Sequence, residues 1–253
     1  MRTTDGVRAG AVVAAAVLQF AAGSAGGTGL IGEPVGEVAR AYPTLLLPAG
    51  TAFSIWSLIY VVLLITAVWQ ALPAQRSREV HRRTGWLLAA SGVLNAAWIL
   101  VFTQRWIVLS EVVIVALLAC LLVAFARLAA DRATGWADRL LLHVPVGLYA
   151  GWVTVAGAAT TGASLGIRPP DTVAIVLAGA GTLLPALVTM WVVSRWRAVA
   201  GYVLAVAWAL AWIAVETPSA AVVGTALAGV ALVLVAVAIR LVRGGSPARV
   251  TLG

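Results

Sequence analysis

The sequence contains no lysine, one cysteine, two histidines and nine carboxylate side chains in 253 residues. The single thiol, Cys120, supports neither an intramolecular disulfide nor a thiolate metal site, so no redox compartment can be read from it. With charged residues at only 10%, there is no polar face large enough for a soluble enzyme surface. Apolar residues fill the chain instead, at 62% hydrophobic and a mean hydropathy of +1.02. A water-soluble domain of this size cannot bury that much apolar surface, and the chain belongs in a bilayer. The net charge of +8 comes from 17 arginines flanking long apolar runs, not from a basic face or tail, which argues against nucleic acid as a partner.

A hydrocarbon core needs roughly 20 apolar residues per helix. The sequence supplies eight such runs, near 9–30, 52–72, 86–102, 108–126, 140–161, 172–193, 198–215 and 220–242. The expected fold is therefore all-α, a polytopic transmembrane bundle. Arginine placement tests the count, because cytoplasmic loops collect basic residues. Eight spans put fourteen arginines on one side (Arg2, Arg8, Arg76, Arg78, Arg82, Arg83, Arg127, Arg132, Arg139, Arg195, Arg197, Arg240, Arg243, Arg249) and only Arg40, Arg105 and Arg168 on the other. Both termini are expected in the cytoplasm. A competing reading makes residues 1–27 a cleaved signal peptide ending in the small-residue stretch AAGSAGG.

The 11 tryptophans divide by position. Trp69, Trp86, Trp106, Trp136, Trp191 and Trp196 fall near span ends, where an indole anchors a helix at headgroup level. Trp56, Trp98, Trp152, Trp208 and Trp212 lie deeper and need another reason. In span 2, Phe53, Trp56 and Tyr60 share one helical face; in span 3, Asn95, Trp98 and Phe102 do; in span 5, Pro145, Tyr149, Trp152 and Ala156 follow one face. An amide at the depth of Asn95 is costly against lipid, so its stripe should point inward. Converging stripes could line a groove for a flat apolar ligand, or simply fill the bundle, and spacing alone leaves both open. Residues 31–51, with Glu33, Glu37, Arg40, Tyr42, Pro43 and Pro48, form the longest connection on the arginine-poor side, above the Phe53/Trp56 stripe, and suit a lid or a plain solvated loop.

These residues resemble the TspO/MBR family, the translocator-protein relatives or tryptophan-rich sensory proteins. Pro43 and Pro48 keep the spacing of the family's loop prolines; Phe53, Trp56 and Tyr60 match its second helix; Leu94, Asn95, Trp98 and Phe102 match its third; Tyr149, Trp152 and Ala156 match its fifth. The likeness covers about residues 9–165. Departures stand at Tyr42 (family Lys), Leu45 (Trp), Leu47 and Leu148 (Pro) and Thr160 (often Asn). The missing loop tryptophan puts in doubt the porphyrin reactions proposed for some members.

The resemblance implies a multi-pass protein of a bacterial inner membrane. Its core would be five helices over 1–165, with a three-helix extension and short tail over 166–253, as in the longer bacterial branch. It also implies a planar hydrophobic ligand, porphyrin or sterol-like, held between spans 2, 3 and 5 by Pro43, Pro48, Phe53, Trp56, Tyr60, Asn95, Trp98, Phe102, Tyr149, Trp152 and Ala156, and a possible homodimer. No cofactor, metal or catalytic group is expected: His81 and His143 read as interfacial, Glu111 and Asp171 as boundary residues, and Trp208, Trp212 and Glu216 as a line that could extend the pocket rim. A permease or lipid carrier, and a scaffold that binds a partner helix, are the alternatives from other functional classes.

Overall fold

A computed structural model describes residues 3–165, 172–243 and 250–253, and among these the regular structure is entirely helical. Arg2, Arg168, Asp171 and Arg249, and with them the 165/166 domain boundary, lie outside or at the edge of the described residues. Helix α1 is Thr3–Thr28, α2 Val35–Ala41, α3 Ile55–Ala71, α4 Glu79–Thr103, α5 Ile107–Ala130, α6 the single turn Trp136–Asp138, α7 Val144–Ser164, α8 Thr172–Arg195, α9 Ala200–Glu216 and α10 Ala220–Arg243. A 3-10 turn, Gly50–Ser54, leads into α3, and a π-helical stretch, Arg139–His143, leads into α7.

Seven of these segments are long and apolar enough to cross a membrane. The eighth expected span is α9, whose 17 apolar residues reach about 25 Å. It packs among α7, α8 and α10. The polytopic helical bundle is therefore as expected, with seven helices of spanning length and one shorter apolar helix at the eighth expected position, and two of the expected boundaries move. The third span begins at Glu79 and not near residue 86, because buried polar side chains in its first turns, His81 and Thr84, are covered by protein. The fifth is preceded by the α6 and π-helical turns, so the apolar segment runs Trp136–Ser164.

Helices α1, α3, α4, α5 and α7 pack into one bundle, and α8, α9 and α10 form a second group joined to it mainly through α9 on α7. Helix α7 is thus central, with 72% of its apolar window buried against 22% for the peripheral α10. The α7–α9 seam is set by glycines. Gly147 and Gly151, four apart on α7, and Gly201 on α9 let the backbones touch: a Cβ on Gly151 would lie 2.4 Å from the Tyr202 carbonyl oxygen. With no aqueous driving force between helices in lipid, such close approach is how they gain packing energy.

The arginine-rich end is knit by ion pairs. Asp5 accepts from Arg8 and Arg82, Asp138 takes a two-pronged bond from Arg78 at 2.6 Å, and Asp131 pairs with Arg83 at 2.7 Å. His81, expected at the interface, is instead fully buried edge-on to Trp69 at 5.2 Å, and His143 is buried as well, because this polar layer folds over both. The tryptophans separate only in part as their positions suggest: Trp86, Trp106, Trp136 and Trp191 are exposed and Trp56, Trp98 and Trp152 are buried, but Trp208, expected deep, is exposed, and Trp69, Trp196 and Trp212 are partly buried.

Candidate ligand-binding site

Trp56 sits at the centre of an aromatic cluster built by α3, α4 and α7. Its ring stacks on Tyr60 at 5.3 Å and on Trp98 at 6.1 Å, and meets Tyr149 and Trp152 edge-on at 6.0 and 6.1 Å. Phe102 continues the stack from Trp98 at 4.9 Å, and Phe53 meets Trp152 edge-on. The three stripes therefore face one another. Asn95 is fully buried and its Oδ1 accepts from the Tyr60 hydroxyl at 3.1 Å, so the amide bridges α4 and α3. The Tyr149 hydroxyl donates to Gln19 Oε1 at 3.3 Å, a partner on α1 that the stripes do not reveal. Three donors in this cluster have no partner: Asn95 Nδ2, Trp98 Nε1 and Trp152 Nε1. Unpaired buried donors are uncommon and costly, which makes them natural anchors for a ligand acceptor.

The empty space is divided by Trp56. On one side, between α3, α4, α7 and the loop, a cavity of about 50 Å³ is lined by Pro48, Phe53, Trp56, Trp98, Phe102, Trp152, Ala156 and Thr160. That is room for little more than water. On the other side, a cleft of about 440 Å³ opens between α1 and α3, lined by Phe20, Gly23, Gly27, Gly36, Phe53, Trp56, Tyr60 and Trp98. Phe20, Ser57 and Val61 at its mouth are exposed, so it opens sideways toward lipid. The expected groove between spans 2, 3 and 5 is thus nearly closed by ring packing, and the ligand-sized space lies on the α1 face of the same rings. Gly23 admits the Tyr60 ring, and a Cβ on Gly27 would meet nothing within 4 Å. The AAGSAGG stretch, which falls within the expected first span, forms the last turns of α1 along this cleft.

Of the expected site residues, Phe53, Trp56 and Trp98 line both spaces; Tyr60 lines the cleft; Pro48, Phe102 and Ala156 line the small cavity; Asn95 and Tyr149 hold the cluster from behind. Pro43 is exposed and lines neither.

The loop over residues 31–51 is a folded cover. It contains α2, and Tyr42, Thr44, Leu47 and Pro48 roof the small cavity. Arg105, held at φ 61°, fastens one end by two 2.7 Å bonds to Glu33, and its guanidinium lies 5.9 Å from the Tyr42 ring. At the other end, Trp208 Nε1 donates to the Ala52 carbonyl at 3.1 Å and the Trp212 carbonyl accepts from Ala49 N–H. Trp208 and Trp212 therefore clamp the 3-10 turn that carries Phe53, and Glu216 is exposed. The Arg105 guanidinium holds the Glu33 carboxyl below the usual range, so this latch is intact above that range and is lost as pH falls through the depressed value. Hydrogen exchange, normalised to intrinsic rates, should show residues 33–42 protected at neutral pH and losing protection only below the ordinary glutamate range; Glu33→Gln should abolish the acid transition. An unchanged acid transition in that variant would remove the latch from the account.

A protein-family model described as TSPO-like protein matches residues 9–239. The chain belongs to the TSPO-like family. The match runs through α8, α9 and most of α10 as well as the five-helix bundle, so the likeness of this TSPO-like chain extends well past residue 165. No curated protein and no solved structure matches it. Among the described residues no three His, Cys, Asp or Glu side chains converge as metal ligands.

Proposed function

We propose that this TSPO-like membrane protein binds a planar hydrophobic molecule, a tetrapyrrole or sterol-like compound, in the cleft between α1 and α3 with one face of the ligand on the Trp56 cluster. The carrying observation is the 440 Å³ space walled by Phe53, Trp56, Tyr60 and Trp98. Its volume lies within the ~300–1,000 Å³ of small-molecule sites, and its walls are aromatic and glycine-rich, the composition that suits a flat ring system. The lateral mouth suits a ligand that partitions into lipid first. Arg40 lies near the cleft's Gly36 and has no carboxylate partner among the described residues, so it supplies a cation for acidic ring substituents. By the positive-inside rule the arginine-rich end faces the cytoplasm, and the covered aromatic end faces the far side of a bacterial inner membrane.

Protoporphyrin titrated into the detergent-purified protein should quench tryptophan fluorescence saturably. Trp56→Phe, which keeps an aromatic core, should weaken that binding several-fold. Arg40→Gln should weaken protoporphyrin while leaving a neutral sterol unaffected. Absence of saturable quenching, with the protein folded by circular dichroism, counts against the binding role altogether.

A further inference from the structure

At the arginine-rich end, remote from the aromatic cluster, a further cavity of about 430 Å³ is lined by Arg132, Arg139, Arg197 and Arg240 together with Ala133, Val250 and Gly253, the last residue of the sequence. The four arginines come from four places in the fold. Arg132 follows α5, Arg139 opens the π-helical stretch before α7, Arg197 sits in the α8–α9 turn, and Arg240 lies in the last turn of α10. Most other arginines at this end that face a neighbouring carboxylate have taken it: Asp138 is held by Arg78, Asp131 by Arg83 and Asp5 by Arg8 and Arg82. None of the four cavity arginines has a side-chain carboxylate partner among the described residues.

Their partners are backbone groups or rings. Arg139 Nε donates to a main-chain carboxylate oxygen of Gly253 at 3.1 Å while its guanidinium lies over Trp136, and Arg240 donates to the Ser194 carbonyl at 2.7 Å but leaves its Nε buried without a partner. The backbone is shaped for this. Ala198 takes φ 56°, a left-handed conformation that costs an alanine energy, and the turn buries Trp196, Ala198 and Val199 at least partly while leaving Arg197 exposed.

Against the single carboxylate of Gly253 stand four guanidinium groups, an excess of positive charge that attracts an anion, and guanidinium forks match phosphate oxygens in geometry as well as charge. Trp136 and Trp191 stand exposed at the same end, at the depth where indoles sit among lipid headgroups. Basic hollows between helices at this level suit anionic headgroups. We infer that this cavity is a phosphate-binding site that takes the headgroup phosphate of an anionic phospholipid or a free phosphate. The site is independent of the aromatic cleft, so its failure and that of the proposed function read out separately.

The test is native mass spectrometry and thermal shift on the full chain in neutral detergent, with phosphatidylglycerol, phosphatidylcholine, or inorganic pyrophosphate at matched ionic strength. Phosphatidylglycerol should be retained at least ten-fold more tightly than phosphatidylcholine, and Arg197→Gln with Arg240→Gln should erase the difference. Because Arg240 also ties α10 to α8, the single Arg197→Gln variant is the cleaner probe and should weaken retention several-fold with the lipid-free melting temperature unchanged. Arg197→Lys should keep most of the binding. Pyrophosphate binding that is lost in the same variants, with no preference between lipids, identifies a soluble phosphate as the ligand. Equal retention of both lipids without pyrophosphate binding, or full retention in both Gln variants, overturns the site.

Discussion

Gly201→Ala is expected to destabilise the folded protein by about 1–3 kcal/mol, the range for overpacking a tight interior. A methyl there would lie 2.2 Å from the Val144 carbonyl oxygen and 2.7 Å from Leu148 N, both backbone atoms of α7 that no rotamer change can move aside. The helices would have to part. Since α9 is the main attachment of the C-terminal three helices to the bundle, the loss falls on both groups together. It would also loosen Trp208 and Trp212, which hold the 3-10 turn carrying Phe53. Gly224→Ala on α10 is the matched control, because a Cβ there meets nothing within 4 Å and alanine is the better helix former. Thermal unfolding followed by tryptophan fluorescence should show Gly201→Ala well below wild type and Gly224→Ala at or slightly above it. Equal melting of the two variants would mean that the α7–α9 seam is looser than its backbone distances state.

The spans were legible because bilayer thickness fixes their length and arginine marks their ends. The convergence of three aromatic stripes was legible too, since helical spacing places Phe53, Trp56 and Tyr60, or Asn95, Trp98 and Phe102, on single faces, and the cost of a buried amide turns that face inward. Asn95 meeting Tyr60 is that argument made concrete.

What did not follow was which side of the rings stays empty. Stripe spacing gives direction but not the distance between helices, and that distance is set by small residues whose role depends on the neighbour they meet. Gly147 and Gly151 repeat at four, a readable signal for close approach, yet Gly23 and Gly27 repeat at four as well. The first pair is filled by Tyr202 of α9, whereas Gly23 faces Tyr60 and Gly27 faces open space. Gln19 was similarly hidden, because one amide in a run of small apolar residues carries no indication that Tyr149 lies opposite. The part played by Trp208 depended on a loop carbonyl 156 residues away in sequence.

The same open space gives the largest expected effect on ligand binding. Gly27→Leu adds a branched side chain to the wall of the 440 Å³ cleft at a position where the first added atom touches nothing. A leucine side chain takes up a substantial share of that volume, and it stands opposite the Trp56 and Tyr60 rings that a flat ligand would lie against. Gly27 lies in the last turn of α1 with no positive φ and free space around its Cβ, so replacing it should not lower stability. Affinity for protoporphyrin should fall more than ten-fold while the melting temperature holds. This combination separates occupancy of the cleft from general damage, which Trp56→Ala cannot do, since deleting a buried indole costs about 3–5 kcal/mol by itself. The small cavity beneath the loop makes the opposite forecast: a ligand seated there, among Pro48, Phe102 and Ala156, would be indifferent to residue 27. Full binding by Gly27→Leu would therefore move the ligand to the loop side of Trp56 and require that ring to swing before anything larger than water could enter.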